Sequence, residues 1–341
     1  MNRLRNLLSF CLLIFGIWAL SACQNSPSSP PDPPAPTAQI PSLPSAAEAS
    51  IGRSPSHEST SASSSAGSRP NTPKVLKPAA DGTVTYGNDA VSIDASHLSE
   101  GYVMVNYTGS NPKVKMLITD PSDVVYNYCL KTGGSGYEVF PFTGGNGRYS
   151  LGIYENIQDT RYSTAFTCQL DVTLDDEFTP FLYPNQYVDF TEDSKTVEKA
   201  EELAETADDD LDVVTDVYHF VTDTISYDEK KAGSTSSEYL PVVDETLESK
   251  KGICFDYAAL MTAMLRSQGI PTKLEIGYAG KVYHAWISTY ISEVGWVDNI
   301  IQFDGRSWSM MDPTFAANSK GNKKILEYIG DGSNYTVKFS Y

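Results

Sequence analysis

Histidine is scarce in this chain, four among 341 residues, and cysteine is scarcely commoner at five. The few copies are dispersed, and no Cys/His cluster shows the spacing of a metal site, so no metal is expected. No phosphate-binding Gly loop occurs and no repeat is present, which removes nucleotide chemistry of the P-loop kind and solenoid architectures. Positive charge is short as well. Lys+Arg number 25 against 43 Asp+Glu, a net charge of −18, which argues against nucleic acid and anionic headgroups as partners. Much of the acid crowds between Glu192 and Asp216. Its densest part, Asp208-Asp-Asp-Leu-Asp212, lacks the central Gly and distal Glu of a calcium loop and reads as a solvated helix face. No cofactor is expected.

The apolar run from Leu7 to Leu20 is short for a membrane span. Arg3 and Arg5 precede it and Leu20-Ser-Ala-Cys23 ends it, the layout of an export signal. Leu-Ser-Ala-Cys resembles a bacterial lipobox, which implies cleavage before Cys23, a signal over residues 1–22 and a lipid thioether on the Cys23 sulfur. The expected location is the extracytoplasmic face of a bacterial membrane, with the membrane met only through that lipid. An ordinary signal peptide or an anchor helix is the alternative. Residues 23–78 are mainly Pro, Ser, Ala and Thr, and such composition buries too little apolar surface to offset chain entropy. A disordered tether is expected there. His57 falls within it.

Residues 79–190 change character. Short alternating segments, Tyr102–Tyr107, Val114–Ile118, Val124–Tyr128 and Ala165–Leu174, are separated by turns such as Gly109-Ser-Asn-Pro112 and Gly144-Gly-Asn-Gly147. This predicts an all-β, sandwich-like unit. Cys129 and Cys168 lie in it; a disulfide and two free buried thiols are both open readings. Nothing in this unit marks chemistry, so packing or recognition is its default role, and His97 is read as a surface or packed residue.

Residues 191–341 carry the reactive groups. Leu260, Met261, Met264 and Leu265 recur at helical spacing, predicting a helix from about Phe255 that Gly269 and Pro271 stop. Cys254 then falls at the first turn, where unpaired N–H groups and the macrodipole favour a thiolate. A lone cysteine is most often a small buried hydrophobe. The residues downstream of Cys254 weigh the other way. Thr272–Tyr278 and Val282–Ile291 alternate as strands, His284 starts the second, and Asp312 closes a later apolar run, Trp308–Met311. Thiolate, imidazole and an acid that orients the imidazole are the parts of a catalytic triad. His219 sits beside the apolar stripe of an upstream helix and is not expected to be a base.

Gly-x-Cys254-x-Asp-x-Ala, Leu-Arg266-x-x-Gly269-Ile-Pro271, His284-Ala-Trp286 and Asp312-Pro-Thr314 resemble the core of the transglutaminase-like superfamily. The upstream face Leu211, Val214, Val217, Tyr218, Val221 and Ile225, ending in Ser226-Tyr-Asp228, resembles the family's lead-in helix. The resemblance covers roughly residues 195–320. It implies Cys254 as nucleophile, His284 as general base and acid, and Asp312 as orienting carboxylate. It also implies an α+β, papain-like core with a Cys-bearing helix packed on an antiparallel sheet. The substrate class it implies is a peptide or glutamine carboxamide in a protein or peptide, a cell-wall peptide among them. Hydrolysis and amine transfer both occur in the family. The stretch between His284 and Asp312 is longer than in compact members and is expected to add a loop near the cleft.

Overall fold

The computed structural model describes residues 66–279, 281–292, 295–297, 301–303, 308–310 and 335–341. Cys23, His57, Asp312 and the tether up to residue 65 lie outside the described residues.

The first half is built of eight strands: β1 (Thr85–Gly87), β2 (Val91–Asp94), β3 (Tyr102–Tyr107), β4 (Val114–Thr119), β5 (Val125–Leu130), β6 (Glu138–Pro141), β7 (Gly147–Gln158) and β8 (Arg161–Val172). They form two antiparallel four-stranded sheets, in the orders β1-β2-β3-β6 and β5-β4-β7-β8. Period-two patterning explains why the sheets face each other. Val103 and Val105 on β3, Val114, Met116 and Ile118 on β4, and Tyr149, Leu151 and Ile153 on β7 all point into one core. The rings of Tyr128 and Phe140 join the two sheets, their centroids 4.8 Å apart. This is the expected sandwich.

Its cysteines are not bridged. Cys129 and Cys168 are both free. They occupy β5 and β8, the two outer strands of one sheet. Three strand spacings of about 4.8 Å put them roughly 14 Å apart, well beyond a disulfide's Cα reach of about 7 Å. The disulfide reading is therefore corrected to two separate thiols, whose pKa values burial raises.

The second half opens with helices α1 (Lys195–Leu203) and α2 (Asp210–Thr224). The Asp209 carboxylate accepts the Asp212 N–H at 3.0 Å and caps α2, so the acidic run is in part a helix start. Val213, Val214, Val217, Tyr218 and Val221 are the buried face of α2. Next come β9 (Ser226–Tyr227), α3 (Glu229–Ala232), α4 (Val243–Ser249), β10 (Lys251–Gly252) and α5 (Cys254–Ser267). Helix α5 is the centre of the fold, with all fourteen residues buried. Gly269, at φ +74°, ends it in the left-handed conformation, and Ile270 N–H returns to Leu265 O at 3.0 Å.

After the turn come β11 (Thr272–Ala279), β12 (Val282–Ile291), β13 (Gly295–Val297), β14 (Ile301–Phe303), β15 (Trp308–Met310) and β16 (Tyr335–Ser340). One antiparallel sheet has the order β13-β12-β11-β16, and α5 packs on β11 and β12. β14 and β15 pair as a separate ribbon. The architecture is thus α+β: a Cys-bearing helix on an antiparallel sheet, preceded by an all-β region. Side chains of both halves share one core. Tyr341 packs edge-on against the rings of Tyr126, Tyr128 and Tyr187, and the Thr143 hydroxyl donates to Ser340 O at 2.6 Å.

Residues 66–78, which composition assigned to the tether, dock on this body. Gly67 N–H donates to Glu205 O, Arg69 N–H to Ala207 O, and Lys74 N–H to Ser267 O at 2.7 Å. The Arg69 guanidinium reaches Asp210 Oδ1 at 2.7 Å and Gln268 O at 2.7 Å. Val75 and Leu76 pack against the core, but most of the docking is by backbone hydrogen bonds and the polar side chains of Ser68, Arg69 and Asn71, which leave no apolar period to read in the sequence.

Candidate active site

Cys254 owes its position to the residues on either side. β10 pairs in parallel with β9, and Asp228 N–H donates to Gly252 O at 2.8 Å, which fixes the approach to α5. The Asp256 carboxylate, fully buried, turns back and accepts the Ile253 N–H at 2.8 Å. That satisfies one of the orphan donors of the helix start. Gly252 makes room for it, since a Cβ there would stand 2.6 Å from Asp256 Cβ. The Gly-x-Cys-x-Asp spacing is thereby explained: glycine and aspartate frame the turn that carries the thiol.

Cys254 is 3% exposed. The backbone N–H groups of Ala285 on β12, of Phe255 and of Cys254 itself act to lower its pKa. Burial nonetheless dominates and pushes the thiol up to about 11, with the Asp256 charge acting in the same direction. The thiolate expected at a helix start is therefore reversed in the resting state. Removal from water outweighs the N–H donors and the macrodipole.

His284 lies opposite Gly277 in the β11–β12 ladder and is also buried, which brings its imidazole down to about 4. Ala285 and Ile287 join the core with α5, and His284, Trp286 and Ser288 alternate with them along β12. There the His284 and Trp286 rings lie 6.3 Å apart at 25°. Glu275, on β11, accepts Trp286 Nε1–H and the Ser288 hydroxyl, each at 2.7 Å. Among the described residues His284 Nε2 is buried without a hydrogen-bond partner. Cys254 lines one cavity with Ala285, the residue after His284, and among the described residues no hydrogen bond joins the two side chains. Cys254, Tyr257 and Met261 face Ala285, Trp286 and Ile287 across a small cavity of about 10 Å³.

The remaining histidines fall where packing puts them. His97 is held between Glu100, at 2.6 Å, and Asp81, at 3.0 Å, with its ring stacked on Tyr102. His219 is exposed on α2. No group of three or more potential metal ligands occurs among the described residues. Two residues of the neighbourhood were not singled out by sequence reasoning. Asp256 was visible only as one letter of a motif, and Glu275 gave no signal because its partners lie across a strand pair.

Residues 197–313 match the family model of the transglutaminase-like superfamily. Over that span, about a third of the chain, the sequence is similar to that superfamily. No curated protein matches the sequence. Among solved structures, a candidate cysteine protease from Cytophaga hutchinsonii is 17% identical, with TM-score 0.36, over 76% of this chain and 84% of that one. A candidate protease from Parabacteroides distasonis is 9% identical, with TM-score 0.26, over 59% and 62%. Red sea bream transglutaminase is 13% identical, with TM-score 0.23, over 62% of this chain and 48% of its own. At such scores none of the three carries an argument.

Proposed function

We propose that this protein is an exported, lipid-anchored thiol hydrolase acting on peptide or glutamine carboxamide bonds. The carrying observation is the place of Cys254, on the first turn of α5 and lining one cavity with Ala285, the residue after His284, inside the matched span. In this reading His284 takes the thiol proton as Cys254 attacks the carbonyl. The N–H groups at the helix start receive the oxyanion, and His284 returns the proton to the departing amine. A thioester is left, and Asp312 orients the imidazole throughout. Catalytic hydrogen bonds often close only when substrate is bound, so an unpaired resting imidazole is compatible with the mechanism. Water then resolves the thioester, since an acyl-enzyme open to solvent is hydrolysed unless the site excludes water.

A cross-linking transferase is the alternative chemistry. A binding protein whose groups no longer turn over is the alternative class, favoured by the unpaired thiol and imidazole. One incubation separates them: a glutamine-containing protein, with and without an added primary amine. New peptide termini, or ammonia without amine incorporation, are expected. Amine incorporation replaces hydrolysis by transfer, and no product at all favours the binding protein.

Anchoring is tested independently. Cys23→Ala should release the protein from the membrane fraction or block its processing. Unchanged membrane retention of the variant refutes the lipid anchor.

A further inference from the structure

The proposed chemistry leaves one buried charge beside the thiol unused. Asp256 is fully buried, two residues beyond Cys254, and three groups hold it. Its Oδ2 accepts the Ile253 N–H at 2.8 Å and Lys231 Nζ at 2.7 Å, and its Oδ1 accepts the Tyr239 hydroxyl. Lys231 Nζ also donates to the Tyr239 oxygen at 2.6 Å and lies 4.5 Å from that ring's centroid. The clamp is itself fixed, because the Asp228 carboxylate accepts Lys231 N–H at 2.9 Å at the start of α3. Lys231 and Tyr239 come from the segment between β9 and α4 and line a solvent-open pocket with Glu245 and Lys251. Three groups from two stretches of the chain thus converge on one carboxylate at the Cys-bearing turn.

We propose that Asp256, clamped by Lys231 and Tyr239, is a positioning residue that fixes Cys254 and the free N–H groups of the first turn of α5 for attack. This rests on the reading of Cys254 as the nucleophile. By taking up the Ile253 N–H, Asp256 fixes the turn that carries Cys254 and the N–H groups of the first turn of α5. Lys231 offsets the carboxylate's charge, which otherwise opposes a thiolate. Among the described residues the other titratable groups around Cys254 are Tyr227 on β9, Tyr257 on α5, and Tyr283 and His284 on β12, and none of them is part of the clamp.

The test is iodoacetamide labelling of Cys254 against pH, beside kcat and KM, in Asp256→Asn, Lys231→Met and Tyr239→Phe. Asp256→Asn removes a negative charge and should move the labelling midpoint to lower pH. Lys231→Met leaves the carboxylate unbalanced and should move it to higher pH. Both should lower kcat on the order of 10- to 100-fold with KM little changed, the size expected of a misplaced nucleophile. Tyr239→Phe should lower kcat several-fold. A purely structural role gives midpoints that do not move, or that move together, and either result overturns the proposal. Should Asp256→Asn not fold, Lys231→Met and Tyr239→Phe decide it: an unmoved midpoint with unchanged kcat refutes the clamp. If the unaltered protein turns over no substrate, the hydrolase reading falls, while the opposed labelling shifts still decide the role of Asp256.

Discussion

Arg266→Met is expected to destabilise the protein by about 3–5 kcal/mol, the usual cost of breaking a buried charge network. The guanidinium is fully buried in α5. Its Nε–H donates to Thr272 O at 2.9 Å, one Nη to Tyr183 O at 2.6 Å and the other to Tyr341 O at 2.7 Å. Those carbonyls belong to the start of β11, the segment after the sandwich and the residue following β16. One side chain therefore ties the strand-rich region and the sheet edge to the central helix. Burial pulls the guanidinium down to about 9, so it remains charged at neutral pH. Methionine matches its length but takes a donor from Thr272 O and Tyr183 O and leaves Tyr341 O with only the Leu274 N–H; each buried carbonyl left without a donor costs about 1–3 kcal/mol before relaxation. Lysine keeps the charge and loses the planar fork, so Arg266→Lys should recover only part of the loss. Urea unfolding of the three proteins measures this. A loss below about 1 kcal/mol for Arg266→Met would mean that other donors reach those carbonyls.

Arg266 shows where sequence reading stops. Its place in Leu-Arg-x-x-Gly-Ile-Pro was visible, but Tyr183 is 83 residues away and no spacing announces that contact. Local features fared better. The helix expected from about Phe255 is α5, Cys254–Ser267, and Val282–Ile291 is β12 with the same bounds. Tyr102–Tyr107 is β3 likewise. Such elements are set by apolar period, capping and glycine, all of which act within a few residues. Charge state was not legible, because it depends on burial. The helix start argued for a Cys254 thiolate, yet surroundings drawn from β9, β12 and α5 leave the sulfur almost dry. The two sandwich cysteines gave a similar lesson, since strand order, not spacing, sets their separation. For the candidate site, residue identity was readable, whereas the unpaired arrangement of His284 and the framing role of Asp256 required the fold.

Cys254→Ala should abolish turnover, and in the proposed unit the other substitutions should add little to it. Asp312→Asn alone should cost up to about 10⁴-fold in kcat, the loss seen when a triad's imidazole is held in the wrong tautomer. Residues acting as one unit are strongly non-additive, so Cys254→Ala/Asp312→Asn should be hardly worse than Cys254→Ala. The resting pKa values add a signature. A thiol at about 11 and an imidazole at about 4 are both neutral at pH 7, so the resting enzyme holds no thiolate–imidazolium pair. Iodoacetamide labelling of Cys254 should therefore be slow at pH 6 and rise about tenfold per pH step toward pH 11, because only the thiolate reacts. Labelling at pH 6 should quicken when a bound substrate analogue opens the cleft and draws the imidazole to the sulfur. His284→Ala should remove that quickening and leave the resting profile nearly unchanged. A resting profile already flat above pH 6 would mean that the thiolate exists without substrate and that burial does not govern the sulfur. A Cys254→Ala protein that still turns over would remove the nucleophile itself, and with it the thioester on which both hydrolysis and transfer depend.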